Sequence, residues 1–132
     1  MTNRIEPVER LFQALGDATR LRILGLLLTG EVCVCHIYES LRISQPKASR
    51  HLAYLRRAGL VDTRRDGLWV YYRLATTTDP VLRTIQQAVA HALGHVPMVQ
   101  RDGRRLQRKT GCCLPAAVAP ACLCCANEDR PS

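Results

Sequence analysis

The chain has no apolar run long enough to cross a membrane. Its longest, such as Leu24 to Leu28, is far short of the roughly 20 residues a helical span needs. No Arg/Lys-led apolar segment with a small-residue cleavage site stands at the N-terminus, so the sequence predicts a soluble, cytoplasmic protein with no membrane partner. It also lacks a Cys-x-x-Cys in a thioredoxin-like setting and a set of nucleophile, base and orienting group, which argues against an enzyme. Acidic residues are scarce where basic ones gather. From Arg42 to Arg73 only Asp62 and Asp66 oppose eight cations: Arg42, Lys47, Arg50, Arg56, Arg57, Arg64, Arg65 and Arg73. Most of the formal net charge of +8 lies there, the electrostatic footprint of a phosphate-backbone binder.

What is present fits one compact domain with a tail: 132 residues, 47% hydrophobic and 23% charged. Residues 1–97 are expected to form this domain, and residues 98–132 a basic, then Cys-rich, flexible tail without periodicity. The seven cysteines, an odd count with no export signal, are expected to be reduced thiols open to metals or oxidants.

Val8, Leu11, Phe12 and Leu15 recur at helical spacing before Gly16, predicting a first helix over about 5–15. Asp17 caps a second, whose run from Leu21 to Leu28 is apolar on more than one side and therefore reads as a helix buried among others. Val34, Ile37, Tyr38 and Leu41 mark a short third helix over about 33–41. After the turn-length Arg42-Ile43-Ser44, Ser44 caps a fourth, with Pro46 in its first turn, Ala48, Leu52 and Leu55 inward, and Gly59 ending it. Leu60 to Arg65 and Leu68 to Leu74 read as a hairpin turning at Asp66-Gly67. Asp79-Pro80 opens a last helix, striped with Val81, Leu82, Ile85, Val89, Leu93 and Val96, that ends between Gly94 and Pro97. This stripe and that of the first helix predict a homodimer through the first and last helices.

Helix, short turn, capped helix and basic hairpin give a mainly α fold with a β-hairpin wing, a winged helix-turn-helix. With Ala48, Leu52 and Leu55 inward, Ser44, Gln45, Lys47, Ser49 and Arg50 fall at the N-terminal part of the reading helix, where base edges and phosphates of double-stranded DNA are met. Arg64 and Arg65 on the wing are expected to meet phosphates. His51 reads as a structural histidine, and Trp69, Tyr71 and Tyr72 as hairpin packing.

Five segments carry a family resemblance: Asp17-Ala18-Thr19-Arg20-Leu21-Arg22-Ile23-Leu24, Glu31-Val32-Cys33-Val34-Cys35-His36-Ile37, Ser44-Gln45-Pro46-Lys47-Ala48-Ser49-Arg50-His51-Leu52, Ala58-Gly59-Leu60-Val61 and Gly67-Leu68-Trp69-Val70-Tyr71-Tyr72-Arg73-Leu74. Together they resemble the ArsR/SmtB family of metal-responsive repressors over about residues 6–96, and most of all its arsenic-responsive members. The resemblance implies a homodimer that represses a metalloid-resistance operon and leaves operator DNA when As(III) or Sb(III), or an organoarsenical, binds thiolates of the Cys-Val-Cys motif.

Trivalent arsenic is a soft centre that favours thiolate sulfur, and Cys33 and Cys35 at a helix start offer two. A third cysteine of the arsenic repressors, three residues on, is replaced here by Tyr38. Two thiolates suffice for a monomethylated arsenite; otherwise a tail cysteine completes the shell. Cys112 and Cys113, then Cys122, Cys124 and Cys125, form a second thiol group, of which the first two rank as further metal ligands. His36 reads as a surface residue. His91 and His95 lie one turn apart, the site of zinc sensors in this family, but Val81 follows Asp79 where those sensors need a histidine. The alternatives are a cadmium-, lead- or zinc-responsive or thiol-redox-responsive repressor of the same fold and, from another class, a thiol-rich metal-buffering protein.

Overall fold

The computed structural model describes residues 4–109. Helices α1 (Glu6–Leu15) and α2 (Ala18–Leu27) are followed by a two-residue strand β1 (Val32–Cys33), α3 (Val34–Leu41) and α4 (Gln45–Arg57). The hairpin β2 (Val61–Asp66) and β3 (Trp69–Leu74) comes next, then α5 (Pro80–Leu93) and α6 (Pro97–Lys109). This is a winged helix-turn-helix with a three-stranded antiparallel sheet of order β1-β3-β2.

The caps stand where the sequence puts them. The Asp17 carboxylate accepts the Arg20 amide at 3.0 Å, and the Ser44 hydroxyl accepts the Lys47 amide at 3.3 Å, each satisfying an orphan donor of its helix. Arg20 then ties α1 to α2, its guanidinium donating to the carbonyls of Ala14 (2.8 Å) and Gln13 (2.9 Å) at the open end of α1. Ile23, Leu24, Leu26 and Leu27 of α2 are all buried, as expected of a helix covered on several sides. They meet Ile37 and Leu41 of α3, Leu52 and Leu55 of α4, and Val61 of β2 in one core.

Three features depart from the sequence reading. The hairpin turns at Gly67-Leu68 rather than Asp66-Gly67, because Asp66 pairs with Trp69 and leaves Gly67, at φ +62, as the first central residue. Strand β1 was not expected: two residues carry no periodicity, and their pairing with Tyr71 and Tyr72 is visible only once β3 exists. Residues 98–109, assigned to the tail, form most of α6, which packs on α2 and α3. Its inward positions are Val99, Asp102 and Leu106, so a carboxylate interrupts the apolar stripe by which a helix is recognised. Asp102 is fully buried, and its two oxygens receive Arg22 Nε and Nη2 at 2.9 Å each. Gly25 makes room in α2 for this packing: a Cβ there would lie 2.5 Å from Val99 Cγ1. Residues 110–132, with Cys112, Cys113, Cys122, Cys124 and Cys125, lie outside the described residues.

Large apolar side chains stay exposed along α1 and around the ends of α5: Ile5, Phe12, Val81, Val96 and Met98. Phe12 leaves the core stripe expected of it and faces outward at 58% exposure.

Candidate nucleic-acid interface and thiol site

Helix α3 ends at Arg42, which takes the left-handed conformation (φ +57) and donates its amide to Glu39 O, while the Ile43 amide reaches Tyr38 O at 3.0 Å. This tight reversal sets α4 against α3 with Ala48, Leu52 and Leu55 buried. The opposite face presents Lys47, Ser49 and Arg50 to solvent, with Gln45 half-buried beside them. Ser44 is exposed too, but its hydroxyl is committed to the helix cap. Arg50 and Arg65 have no carboxylate within ion-pair distance among the described residues, which leaves both guanidiniums available to phosphate.

Arg57 escaped the sequence reading, although it follows Arg50 by two helical turns on the same outward stripe. It lines a cleft with Arg10, Gln13 and Tyr54, and a neighbouring one with Arg20, Arg50 and His51. The Tyr54 ring lies beside two guanidiniums, Arg20 at 4.1 Å and Arg57 at 5.8 Å. His51 has the structural role expected of it, with Nδ1 3.4 Å from Arg20 Nη1 and 3.7 Å from the Asp17 carboxylate.

Cys33 is both the last residue of β1 and the N-cap of α3, and Cys35 lies in the first turn. The extended φ of −65° and ψ of 142° at Cys33 turn the chain so that the two sulfurs sit 3.2 Å apart, both buried. Tyr71 of β3, paired in register with Cys33, packs against them, and Tyr38 and Trp69 complete an aromatic cluster. Above it Arg64 stacks on Tyr71 at 4.5 Å and grips the Glu31 carboxylate at 2.6 and 3.0 Å. The Arg64 hydrogen bond holds the Glu31 carboxyl below its ordinary pKa, and burial pushes the Tyr71 phenol up. Arg64, expected on phosphate, thus ties the wing to the residues just before the thiols.

His36 is buried, not on the surface, because α6 covers its side of α3. Its Nε2 finds no hydrogen-bond partner among the described residues. Burial lowers its pKa, the nearby Glu39 raising it in part, and burial also lowers that of His51. The unfolded chain, near the ordinary value of 6.5, therefore takes up protons first. Stability should be fully present above that pH and fall as the pH drops below it. Urea unfolding is expected to show a lower midpoint at pH 5 than at pH 7.5, with a smaller difference in His36→Gln; an unchanged difference in that variant would contradict the assignment.

His91 and His95 stack edge to face at 5.4 Å, both exposed, while Asp79 is spent capping α5 through the Val81 amide at 2.9 Å. Among the described residues no group of three or more His, Cys, Asp or Glu is placed to hold a metal ion.

The family profile described as bacterial regulatory protein, arsR family, matches residues 17–63, which is α2 through the first wing strand. A solved homodimeric winged helix-turn-helix DNA-binding domain from Mycobacterium bovis, Mb0332, is 31% identical. The match covers 74% of this chain and 94% of that one, with a TM-score of 0.57. The chain belongs to the arsR family. Among curated relatives of this arsR-family chain, the arsenic resistance regulator ArsR1 of Pseudomonas putida is 54% identical over 65 residues, 48% of this chain and 51% of its own length. The arsenical resistance operon repressor of Escherichia coli is 54% identical over 67 residues, 50% of this chain and 57% of its own. This chain therefore spans little more than half of either arsenic regulator. A cadmium resistance regulator, the CadC homolog of Staphylococcus aureus, is 36% identical over 85 residues, 64% of this chain and 69% of its own. All are transcription regulators, not enzymes, and no described helix is long and apolar enough to cross a membrane.

Proposed function

We propose that the chain is a dimeric, cytoplasmic repressor of a metalloid-resistance operon, which releases operator DNA when trivalent arsenic or antimony is captured by Cys33 and Cys35. The carrying observation is the position of the two sulfurs, 3.2 Å apart at the junction of β1 and α3 and beneath the wing residue Tyr71. Helix α3 fixes the angle of α4, and β1 pairs with β3, so anything seated between the sulfurs must lift Tyr71 and strain both DNA-reading elements. The DNA contacts are Gln45, Lys47, Ser49 and Arg50 on α4, Ser44 at its cap, and Arg65 on the wing; Arg64 joins them when its grip on Glu31 opens. Cys112 and Cys113, three residues and more beyond α6, are a second thiol pair that the primary response does not need.

Titrating arsenite and methylarsenite into a protein–operator complex tests this reading by gel shift, with cadmium, zinc and an oxidant as the rival inducers. Release by cadmium alone would favour the second reading, for which the likeness to the CadC homolog speaks. Stoichiometric metal uptake with no binding to any duplex at low salt would favour a metal buffer.

The exposed apolar residues of α1 and the ends of α5 supply the dimer face. Phe12→Asp should leave the monomer fold intact, since the ring is 58% exposed, yet shift sedimentation to a monomer. Losing the linked second half-site should weaken operator binding by about 10²-fold or more. A variant that still sediments as a dimer would place the interface elsewhere.

A further inference from the structure

We infer that the Cys33/Cys35 site selects an organoarsenical, R–As(III) with R a methyl or phenyl group, over inorganic arsenite, an inference that rests on the function proposed above. A trivalent arsenic has three positions. Two are filled by the sulfurs, and among the described residues no third Cys, His, Asp or Glu joins them. One helical turn after Cys35, the side that would carry a third ligand carries the ring of Tyr38 instead. Tyr71 and Trp69 close the remaining walls, so the third position faces aromatic carbon.

The exchange balances without oxidant or reductant. R–As(OH)2 and two thiols give R–As(S–Cys)2 and two waters: two As–S bonds form, two As–O bonds break, each thiol proton leaves with a hydroxide, and arsenic stays trivalent. The group R then lies against the rings, where its apolar surface is removed from water. Arsenite, As(OH)3, spends two hydroxyls in the same exchange and is left with a third, which must be buried in that setting. Burying a hydroxyl among apolar groups is unfavourable, enough for a preference of about tenfold or more.

Trp69 is the single tryptophan of the chain and belongs to this cluster, so its fluorescence reports occupancy directly. The test uses the full-length reduced protein bound to a duplex it has selected from random sequence. Methylarsenite, phenylarsine oxide and arsenite are titrated while Trp69 emission and DNA release are followed together. The two organoarsenicals are expected to quench Trp69 and release DNA at concentrations about tenfold or more below arsenite. The same ratio is expected when Cys112, Cys113, Cys122, Cys124 and Cys125 are all changed to Ser. Tyr38→Cys, which supplies a third sulfur one turn from Cys35, should bring arsenite level with methylarsenite. Arsenite acting at or below the methylarsenite concentration in the unmodified chain would overturn the selectivity while leaving the thiol switch standing. Failure of all three to release DNA would overturn the switch itself.

Discussion

Arg22→Ala is expected to destabilise the protein by about 3–5 kcal/mol, the range for removing one partner of a buried ion pair. Asp102 has no solvent exposure, and the Arg22 side chain is 19% exposed, so the pair sits where water offers the carboxylate nothing in exchange. Both Asp102 oxygens depend on the Arg22 fork at 2.9 Å, and the same guanidinium reaches Leu41 O at 3.3 Å. Arg105 lies 3.6 Å from Asp102 and offsets part of the loss, which puts the expectation at the lower end. Small domains are stable by about 5–15 kcal/mol, so the variant would keep only a part of its stability. Replacing both partners by apolar residues of similar volume, Arg22→Met with Asp102→Leu, should recover most of the deficit, because no buried charge is then left unpaired. Urea unfolding at pH 7 reads both values. A loss below about 1 kcal/mol in Arg22→Ala, the size of an exposed pair, would mean that α6 does not seat Asp102 as described.

Cys33→Ser and Cys35→Ser are each expected to remove the response to trivalent arsenicals while retaining operator binding. One remaining sulfur forfeits the second, intramolecular bond, for which an effective-concentration gain of about 10²–10⁴-fold is typical. The half-release concentration should rise by a factor of that order. Serine keeps the shape but replaces a soft donor by a hard one, and neither cysteine lies on the outward face of α4. Gel shifts with each variant, without inducer and across an arsenical titration, separate the two properties. Unaltered release in either variant would move the sensor to the cysteines beyond residue 109.

Much of this layout is legible in the sequence because it is local. Asp17, Ser44 and the Asp79-Pro80 pair announce their helices through side chains that bond a backbone amide two or three residues away. The inward set Ala48, Leu52 and Leu55 follows from the helical period alone. What the sequence hides is settled by distant partners. Asp102 lies 80 residues from Arg22 and, read alone, marks α6 as a solvated charge run. Arg64 looks like a free wing cation until Glu31, 33 residues earlier, is placed under it. His36 reads as a surface residue because nothing in its own helix reveals that α6 covers it. At the site, Cys33 and Cys35 could be named from their spacing, and Tyr38 could be named as the missing third sulfur. The aromatic walls could not, since Trp69 and Tyr71 reach the thiols only through the pairing of β1 with β3.

The most direct test of the central claim is the operator affinity of the full-length reduced protein at one fixed salt concentration, with and without saturating methylarsenite. Capture at Cys33 and Cys35 should weaken the complex by about 5- to 150-fold, the usual range of coupling between two sites. By the same linkage, bound operator should weaken methylarsenite binding, read from Trp69 fluorescence, by an equal factor. Equal affinity for the operator with the site empty and with it full would contradict the claim.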